Sequence, residues 1–70
     1  MGRFTQKGDV YLSAKEVALL LQVREGQILH ALKTSHTIGN VVLPSPRIIN
    51  GSRYFLYHEV NAAMVAAGMV

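Results

Sequence analysis

Two short stretches with helical periodicity, separated by only a few residues, limit the folds open to this 70-residue chain. In "SAKEVALLLQV", Ser13 and Glu16 have the spacing of a capping box, in which the hydroxyl serves a free N–H of the first helical turn. The pattern predicts a first helix from about Ala14 to Leu21. Its apolar face consists of Val17, Leu20 and Leu21, with Ala14 beneath them.

The second helical stretch, "REGQILHALKT", predicts a helix from about Arg24 to Thr34. Its apolar set is Ile28, Ala31 and Leu32. Only Gln22 and Val23 separate the two helices, and each helix has one apolar face to bury. Two such helices cannot lie far apart, so the sequence predicts that they cross as a helix-turn-helix.

A β-hairpin is predicted in "RIINGSRYFLYHEV". Asn50-Gly51 is the dipeptide that best tolerates the two positive φ angles of a type I′ turn. Strands are therefore expected at about Arg47–Ile49 and Ser52–Tyr57. Alternation along the second strand places Tyr54 and Leu56 on one side, and the other side is expected to carry Arg53, Phe55 and Tyr57.

The sequence as a whole predicts one α+β domain at residues 10–70. A flexible arm is expected at residues 1–9, where no hydrophobic periodicity is visible. The stretch "SHTIGNVVLPSP" is interpreted as a loop, with residues 41–43 extended. A third helix is expected from about Glu59 to Ala67, with Gly68 as its stop. No internal repeat or interdomain linker is visible.

Composition indicates a globular chain with a basic balance. Half of the residues are apolar, 16% are charged, and the net charge is +3 with a pI near 9.7. This excess favours an anionic partner, most commonly nucleic acid, although the same charge is also an ordinary aid to solubility. No apolar run approaches the roughly 18 residues of a membrane span, so we expect a cytoplasmic protein without a membrane partner. The absence of cysteine excludes disulfides and thiolate metal sites.

The segment "LSAKEVALLLQVREGQILHALK" resembles the helix-turn-helix of small phage excisionases and of the wider MerR-like winged-helix superfamily. That pattern has an apolar residue, a Ser or Thr cap, Glu-Val-Ala and Leu-Leu before a polar-studded second helix. The segment "PSPRIINGSRYFLYHEVNAA" resembles the family's wing, and together the two cover about residues 11–64. The chain departs from the family at three places: Gln22 replaces a Gly, Arg24 replaces a Ser cap, and the loop 35–47 is longer.

The resemblance implies a small winged helix-turn-helix that binds duplex DNA, with no enzymatic activity and no cofactor. The second helix would enter the major groove and the wing would contact the adjacent backbone. Such a protein would act as an excisionase, a transcriptional regulator of a phage or mobile element, or both, binding cooperatively and working with an integrase or recombinase. The implied recognition-helix residues are Arg24, Gln27, His30, Lys33 and Thr34, and the implied wing residues are Arg47, Asn50, Ser52 and Arg53. Gln27 and His30 are the candidates for reading base edges.

Four apolar residues occupy positions where this family carries polar side chains: Leu19, Leu29, Phe55 and Tyr57. One interpretation is a self-association surface used on DNA. The other is that the third helix and the long loop cover these side chains. The sequence leaves both open.

Other classes of function have less support. A DNA-free protein-interaction module on the same fold is favoured by Glu25 and the apolar positions just named, whereas the basic residues of the second helix and hairpin favour DNA. A DNA-packaging subunit would need a further oligomerisation region.

The three histidines, His30, His36 and His58, lie on different predicted elements with no carboxylate at ligand spacing, so no metal site is expected. No nucleophile–base pair indicates a catalytic site.

Overall fold

The computed structural model describes residues 3–69, which contain six strands and three helices. The elements in chain order are β1 (Arg3–Gln6), β2 (Asp9–Ser13), α1 (Ala14–Leu21), α2 (Glu25–Lys33), β3 (Thr37–Ile38), β4 (Val41–Val42), β5 (Arg47–Ile49), β6 (Ser52–Leu56) and α3 (Tyr57–Ala66). The predicted bounds of α1 are confirmed, and those of α2 and α3 lie within two residues of the observed ones. The α+β class is confirmed. No helix in the described range is long and apolar enough to cross a bilayer.

Four strands form an antiparallel sheet in the order β1-β2-β6-β5. Its two central strands come from distant parts of the chain, and Leu12 of β2 faces Phe55 of β6 in the register. Both of these side chains are fully buried. The helices supply the other side of this core through residues such as Val17, Ile28 and Val60. Burial of these apolar side chains is the main stabilising contribution available to a domain of this size.

The prediction of a flexible arm at residues 1–9 is wrong for the described residues 3–9. Residues 3–6 form β1, which pairs with β2 through the two-residue turn Lys7-Gly8. Both turn residues have positive φ, at 53° and 83°, as a type I′ turn requires. The sequence signal for this turn is weaker than Asn-Gly, because lysine is a less common residue at positive φ. Residues 1–2 lie outside the described part of the chain.

The loop predicted after α2 contains a second, separate hairpin. Strands β3 and β4 pair antiparallel, with Ile38 opposite Val41. The turn between them is Gly39-Asn40, and Gly39 has φ 58°. A glycine at the first central position is the mark of a type II′ turn, which also suits the twist of a hairpin. The extended backbone predicted at 41–43 is confirmed for residues 41–42.

The hairpin predicted around Asn50-Gly51 is confirmed, with φ angles of 52° and 81° at the two turn residues. Ile49 faces Ser52 across the turn. Strand β6 ends at Leu56, one residue earlier than predicted, because Tyr57 opens α3. The hairpin is also joined to β2 through β6. It therefore forms the outer half of a four-stranded sheet and not an isolated two-stranded wing.

Phe55 is an interior residue, so the interpretation that places it on a self-association surface is wrong for this residue. It has no exposed surface and faces Leu12 across the central strand pair. Arg53 lies on the same face of β6, two residues closer to the turn, where the strand extends beyond the core and the side chain is exposed. The sequence predicts pairing of β6 with β5 but not with β2, and it is β2 that covers the Phe55 end of the strand.

Replacing Phe55 by alanine should lower the free energy of unfolding by about 3–5 kcal/mol, because it removes a buried aromatic ring and leaves a cavity. Leu19, which is 66% exposed on α1, provides the control. Leu19→Ala should change the free energy of unfolding by no more than about 0.5 kcal/mol. Urea unfolding followed by circular dichroism measures both. Equal effects of the two substitutions would contradict the placement of Phe55 in the core.

Helices α1 and α3 end in the same way, with one left-handed residue and two closing hydrogen bonds. After α3, the left-handed residue is Gly68 at φ 79°, and the N–H of Met69 donates to the oxygen of Met64 at 3.0 Å. After α1, it is Gln22 at φ 59°, and the N–H of Val23 donates over 2.9 Å to Ala18. Both ends are Schellman motifs. The Cβ of Gln22 makes its left-handed backbone less favourable than that of Gly68.

Gln22→Gly should therefore raise the free energy of unfolding by about 1 kcal/mol, since glycine adopts the left-handed conformation without the Cβ penalty. Gln22→Ala is the control, because alanine keeps the Cβ and should gain nothing comparable. The measurement is the midpoint and slope of urea unfolding for the three proteins. If the alanine variant were as stable as the glycine variant, the backbone conformation would not be the cause.

Candidate nucleic-acid interface

Helix α2 is buried along one face and exposed along the opposite one. Ile28 and Ala31 are in the core, and Leu29 and Leu32 are half-buried beside it. All five residues predicted for the recognition helix are exposed: Arg24, Gln27, His30, Lys33 and Thr34. Gly26 is exposed on the same side, and no atom lies within 4 Å of the position where a Cβ would be. The sequence periodicity of this helix thus correctly separated core from surface.

Two open depressions flank the exposed face of α2. On one side, a groove of about 430 Å³ separates the helix from the β3–β4 hairpin; we call it the α2–β3 groove. Its lining includes Gln27, His30, Thr34, Thr37, Ile38 and Gly39. On the other side lies a smaller depression of about 240 Å³, the α2–β6 notch. Leu29, Leu32, Lys33, His36, Pro46 and Arg53 line it. The exposed face of α2 therefore stands between two hairpins.

The N-terminus of α2 is capped by a residue that the sequence assigned to base reading. The backbone N–H of Arg24 donates to Oε1 of Gln27 at 3.0 Å, and the N–H of Gln27 donates to the oxygen of Arg24 at 2.9 Å. This arrangement caps a helix that has Arg24, and no Ser or Thr, at the residue before its first turn. The cap occupies the carbonyl oxygen of the Gln27 side chain, so its NH₂ group is the part that can reach a base.

The C-terminal end of α2 is held by a threonine hydroxyl. Oγ1 of Thr34 donates to the backbone oxygen of His30 at 3.0 Å, which satisfies one of the free carbonyls of the last turn. His36, two residues further on, has φ 61°. Its N–H donates to Ala31 at 2.8 Å, and its own oxygen accepts from the N–H of Leu43 at 2.8 Å. These bonds connect the end of α2 to the segment that follows the β3–β4 hairpin.

The four predicted wing residues do not lie together. Asn50, Ser52 and Arg53 are exposed at the free end of the β5–β6 hairpin. Arg47 faces Tyr54 in the register, whereas Arg53 faces Ile48, so the two arginines lie on opposite faces of the sheet. Only Arg53 is on the face that carries Phe55 and the core.

Arg47 is engaged in a two-pronged ion pair. Its Nη1 lies 3.1 Å from Oε1 of Glu59, and its Nη2 donates to Oε2 at 3.2 Å. Nη1 also donates to the backbone oxygen of Ser45 at 3.2 Å. These contacts tie the start of β5 to the first turn of α3. The structure therefore does not bring Arg47 to the exposed face of α2 with Lys33 and Arg53.

The surface near α2 carries more positive than negative charge. Arg24, Lys33 and Arg53 are exposed there, and among the described residues none of them forms an ion pair. The one carboxylate on α2 is Glu25, in its first turn. No group of three or more His, Asp or Glu side chains is placed to hold a metal ion within the described residues.

The remaining apolar candidates for self-association occupy different environments. Leu19 and Tyr57 are exposed, but Leu29 is half-buried against the core and lines the α2–β6 notch. Sequence reasoning also missed His36 and Pro46 as residues of this notch. A weak signal existed for the neighbouring hairpin, because Gly39-Asn40 lies between two short β-branched stretches. No local pattern could place His36 beside Arg53, which lies 17 positions away in the sequence.

The chain was compared with models of known protein families, with curated proteins and with solved structures, and none of the three comparisons found a match. The resemblance to the winged-helix family stays a prediction.

Gln27→Ala should lower the free energy of unfolding by about 0.5–2 kcal/mol, because it removes the side-chain cap of α2. Gln27→Glu is the matched control, since a carboxylate at the same position accepts the N–H of Arg24 and also interacts favourably with the helix dipole. The free energy of unfolding of the glutamate variant, measured in urea, should therefore be close to that of the unmodified protein. A loss of stability in both variants would show that the hydrogen bond is not the stabilising contact.

Proposed function

We propose that this protein is a winged helix-turn-helix protein that binds duplex DNA in a sequence-specific manner. The observation that carries the proposal is the exposed, polar and basic face of α2 between two hairpins. A single α-helix fits the major groove, which is about 12 Å wide. The hairpins on either side would then lie next to the two phosphate backbones that border the groove.

The residues on α2 divide into base-reading and backbone-contacting candidates. His30 lies at the centre of the exposed face, one turn after Gly26, which allows close approach because it has no side chain. The NH₂ group of Gln27 is a second candidate for a base edge. Arg24 and Lys33 lie near the two ends of the helix, where contacts to phosphates are expected. Arg53 supplies a cation from the wing.

The finer role follows from the resemblance described above. We propose an excisionase-like or regulatory protein of a phage or mobile element, which binds neighbouring sites cooperatively and acts with an integrase or recombinase. Several copies assembled on clustered sites would bend the DNA, which is a way to direct a recombinase without contacting its active site.

One observation favours a second candidate, a protein-interaction module that does not bind DNA. Several large apolar side chains are at least about half exposed on different elements: Leu19, Val42, Ile48, Val65 and Met69. Exposed apolar side chains that form a contiguous patch often mark a partner-binding surface. DNA binding is the better-supported function, because the three cations near α2 are grouped around one helix.

Fluorescence anisotropy with the DNA that flanks its own gene, and with a random duplex, tests the proposal across a salt series. With two or three backbone phosphates neutralised by Arg24, Lys33 and Arg53, log affinity should fall against log salt with a slope of roughly −2 to −3, about −0.9 per phosphate. We expect tighter binding to the native DNA and a sigmoidal binding curve. Salt-sensitive binding to neither duplex would favour the protein-interaction module.

A matched pair of variants distinguishes DNA binding through a local contact from DNA binding through the overall charge of the protein. Lys33→Gln removes one positive charge from α2, and Lys7→Gln removes one from the β1–β2 turn, at the end of the sheet opposite the Asn50-Gly51 turn. Lys33→Gln should weaken binding and reduce the salt slope by up to about 0.9, the value for complete loss of one phosphate contact. Lys7→Gln should leave it unchanged. Equal effects of the two variants would indicate attraction by net charge alone and contradict the proposed interface.

A further inference from the structure

The α2–β6 notch combines three basic side chains with an apolar floor. Lys33 comes from the last turn of α2, His36 from the segment after it, and Arg53 from β6. Leu29, Leu32 and Pro46 form the floor and are all half-buried. Among the residues that the structure describes, no carboxylate lines the notch, and the one on α2, Glu25, is one helical turn before Leu29. The three side chains come from separate parts of the fold.

The backbone of His36 is fixed in an unusual conformation. Histidine at φ 61° is in the left-handed region, where residues with a side chain are uncommon. The hydrogen bonds of its N–H and its carbonyl oxygen, each 2.8 Å long, hold it there from two sides. The fixed backbone keeps the side chain of His36 in the lining of the notch.

The chemistry of the three groups matches a phosphate group. Arginine offers a planar pair of N–H donors, lysine a compact positive charge, and histidine a further N–H donor. Charge-assisted hydrogen bonds of this kind are the strong ones in proteins. The apolar floor keeps part of the surrounding water away, which strengthens the attraction between the cations and an anion.

We propose that the α2–β6 notch binds one backbone phosphate of duplex DNA, held jointly by Lys33, His36 and Arg53. This inference rests on the proposed function and specifies one of its contacts: the phosphate that lies between the recognition helix and the wing. Arg47, which the sequence placed among the wing contacts, has no part in this site. It lies on the opposite face of the sheet and is paired with Glu59.

The first test is a double-mutant cycle in the anisotropy assay, with Lys33→Gln, Arg53→Gln and the double variant. Each single substitution should weaken binding about tenfold, because each removes a charge-assisted hydrogen bond. Since both side chains hold the same phosphate, the double variant should lose clearly less than the product of the two single losses. Losses that multiply would assign the two residues to separate phosphates and overturn the proposal.

The second test locates the phosphate on the DNA. A set of duplexes is made in which one phosphate at a time is replaced by an uncharged methylphosphonate. One replacement should weaken binding of the unmodified protein but have little effect on the double variant. If no position behaves in this way while the unmodified protein binds DNA, the notch proposal fails and the proposed function stands. If the unmodified protein binds no duplex at all, both fail.

His36→Gln tests the third residue, with His58→Gln as its control. Glutamine is a suitable replacement because Gln22 adopts nearly the same φ in this chain. His58 is exposed at the start of α3 and does not line the notch. The His36 variant should bind DNA several-fold more weakly and lose less when combined with Arg53→Gln, whereas the His58 variant should bind normally. Equal binding by both variants would remove His36 from the site.

The source of the phosphate is tested by competition. Inorganic phosphate is added to the protein–DNA complex at constant ionic strength, with chloride as the reference anion. Because one phosphate contact in an open notch is weak by itself and DNA makes several contacts, millimolar phosphate should release no more DNA than chloride does. Release by millimolar phosphate that disappears in the Lys33 and Arg53 double variant would assign the notch to a free anion and overturn the proposal. Circular dichroism of each variant verifies that the fold is retained.

Discussion

The pairing of β2 with β6 is the interaction on which the rest of this small fold depends. It joins residues 11–13 to residues 54–56 and buries Leu12 against Phe55 at the centre of the molecule. Helix α1 begins directly after β2, and α3 begins directly after β6. One strand pair therefore sets the starting points of two helices, and α2 is placed by its contacts with α1 and by the apolar residues that it contributes to the common core.

The same pairing determines where the candidate site is formed. Strand β6 extends beyond the core toward the Asn50-Gly51 turn. Arg53 lies in this extension, on the same face as Phe55, and is exposed beside the last turns of α2. On the other side of α2, the β3–β4 hairpin forms the second wall. A short helix is held between two hairpins, each with a two-residue turn. A chain with few charged residues thereby groups three cations around one helix.

Local signals predicted much of the secondary structure. The cap at Ser13 is confirmed, with its Oγ accepting the N–H of Glu16 at 3.2 Å, and Gly68 ends α3 as expected. The errors have identifiable causes. Lys7-Gly8 forms the same type of turn as Asn50-Gly51, and Gly39-Asn40 forms the related type II′ turn, but their flanking strands are too short or too polar to stand out. Phe55 was placed on the surface because nothing local indicates which strand lies beside it.

The sequence by itself determined the local elements: helix bounds, the type I′ hairpin and the division of α2 into apolar and polar faces. These depend on contacts between residues three or four positions apart, or across a two-residue turn, and such contacts are encoded locally. Tertiary structure alone decided the roles of the individual arginines. The register of β5 and β6 places Arg53 toward α2 and Arg47 toward Glu59, because neighbouring side chains on a strand point to opposite faces. The notch around Lys33 and His36 likewise exists only because distant segments meet.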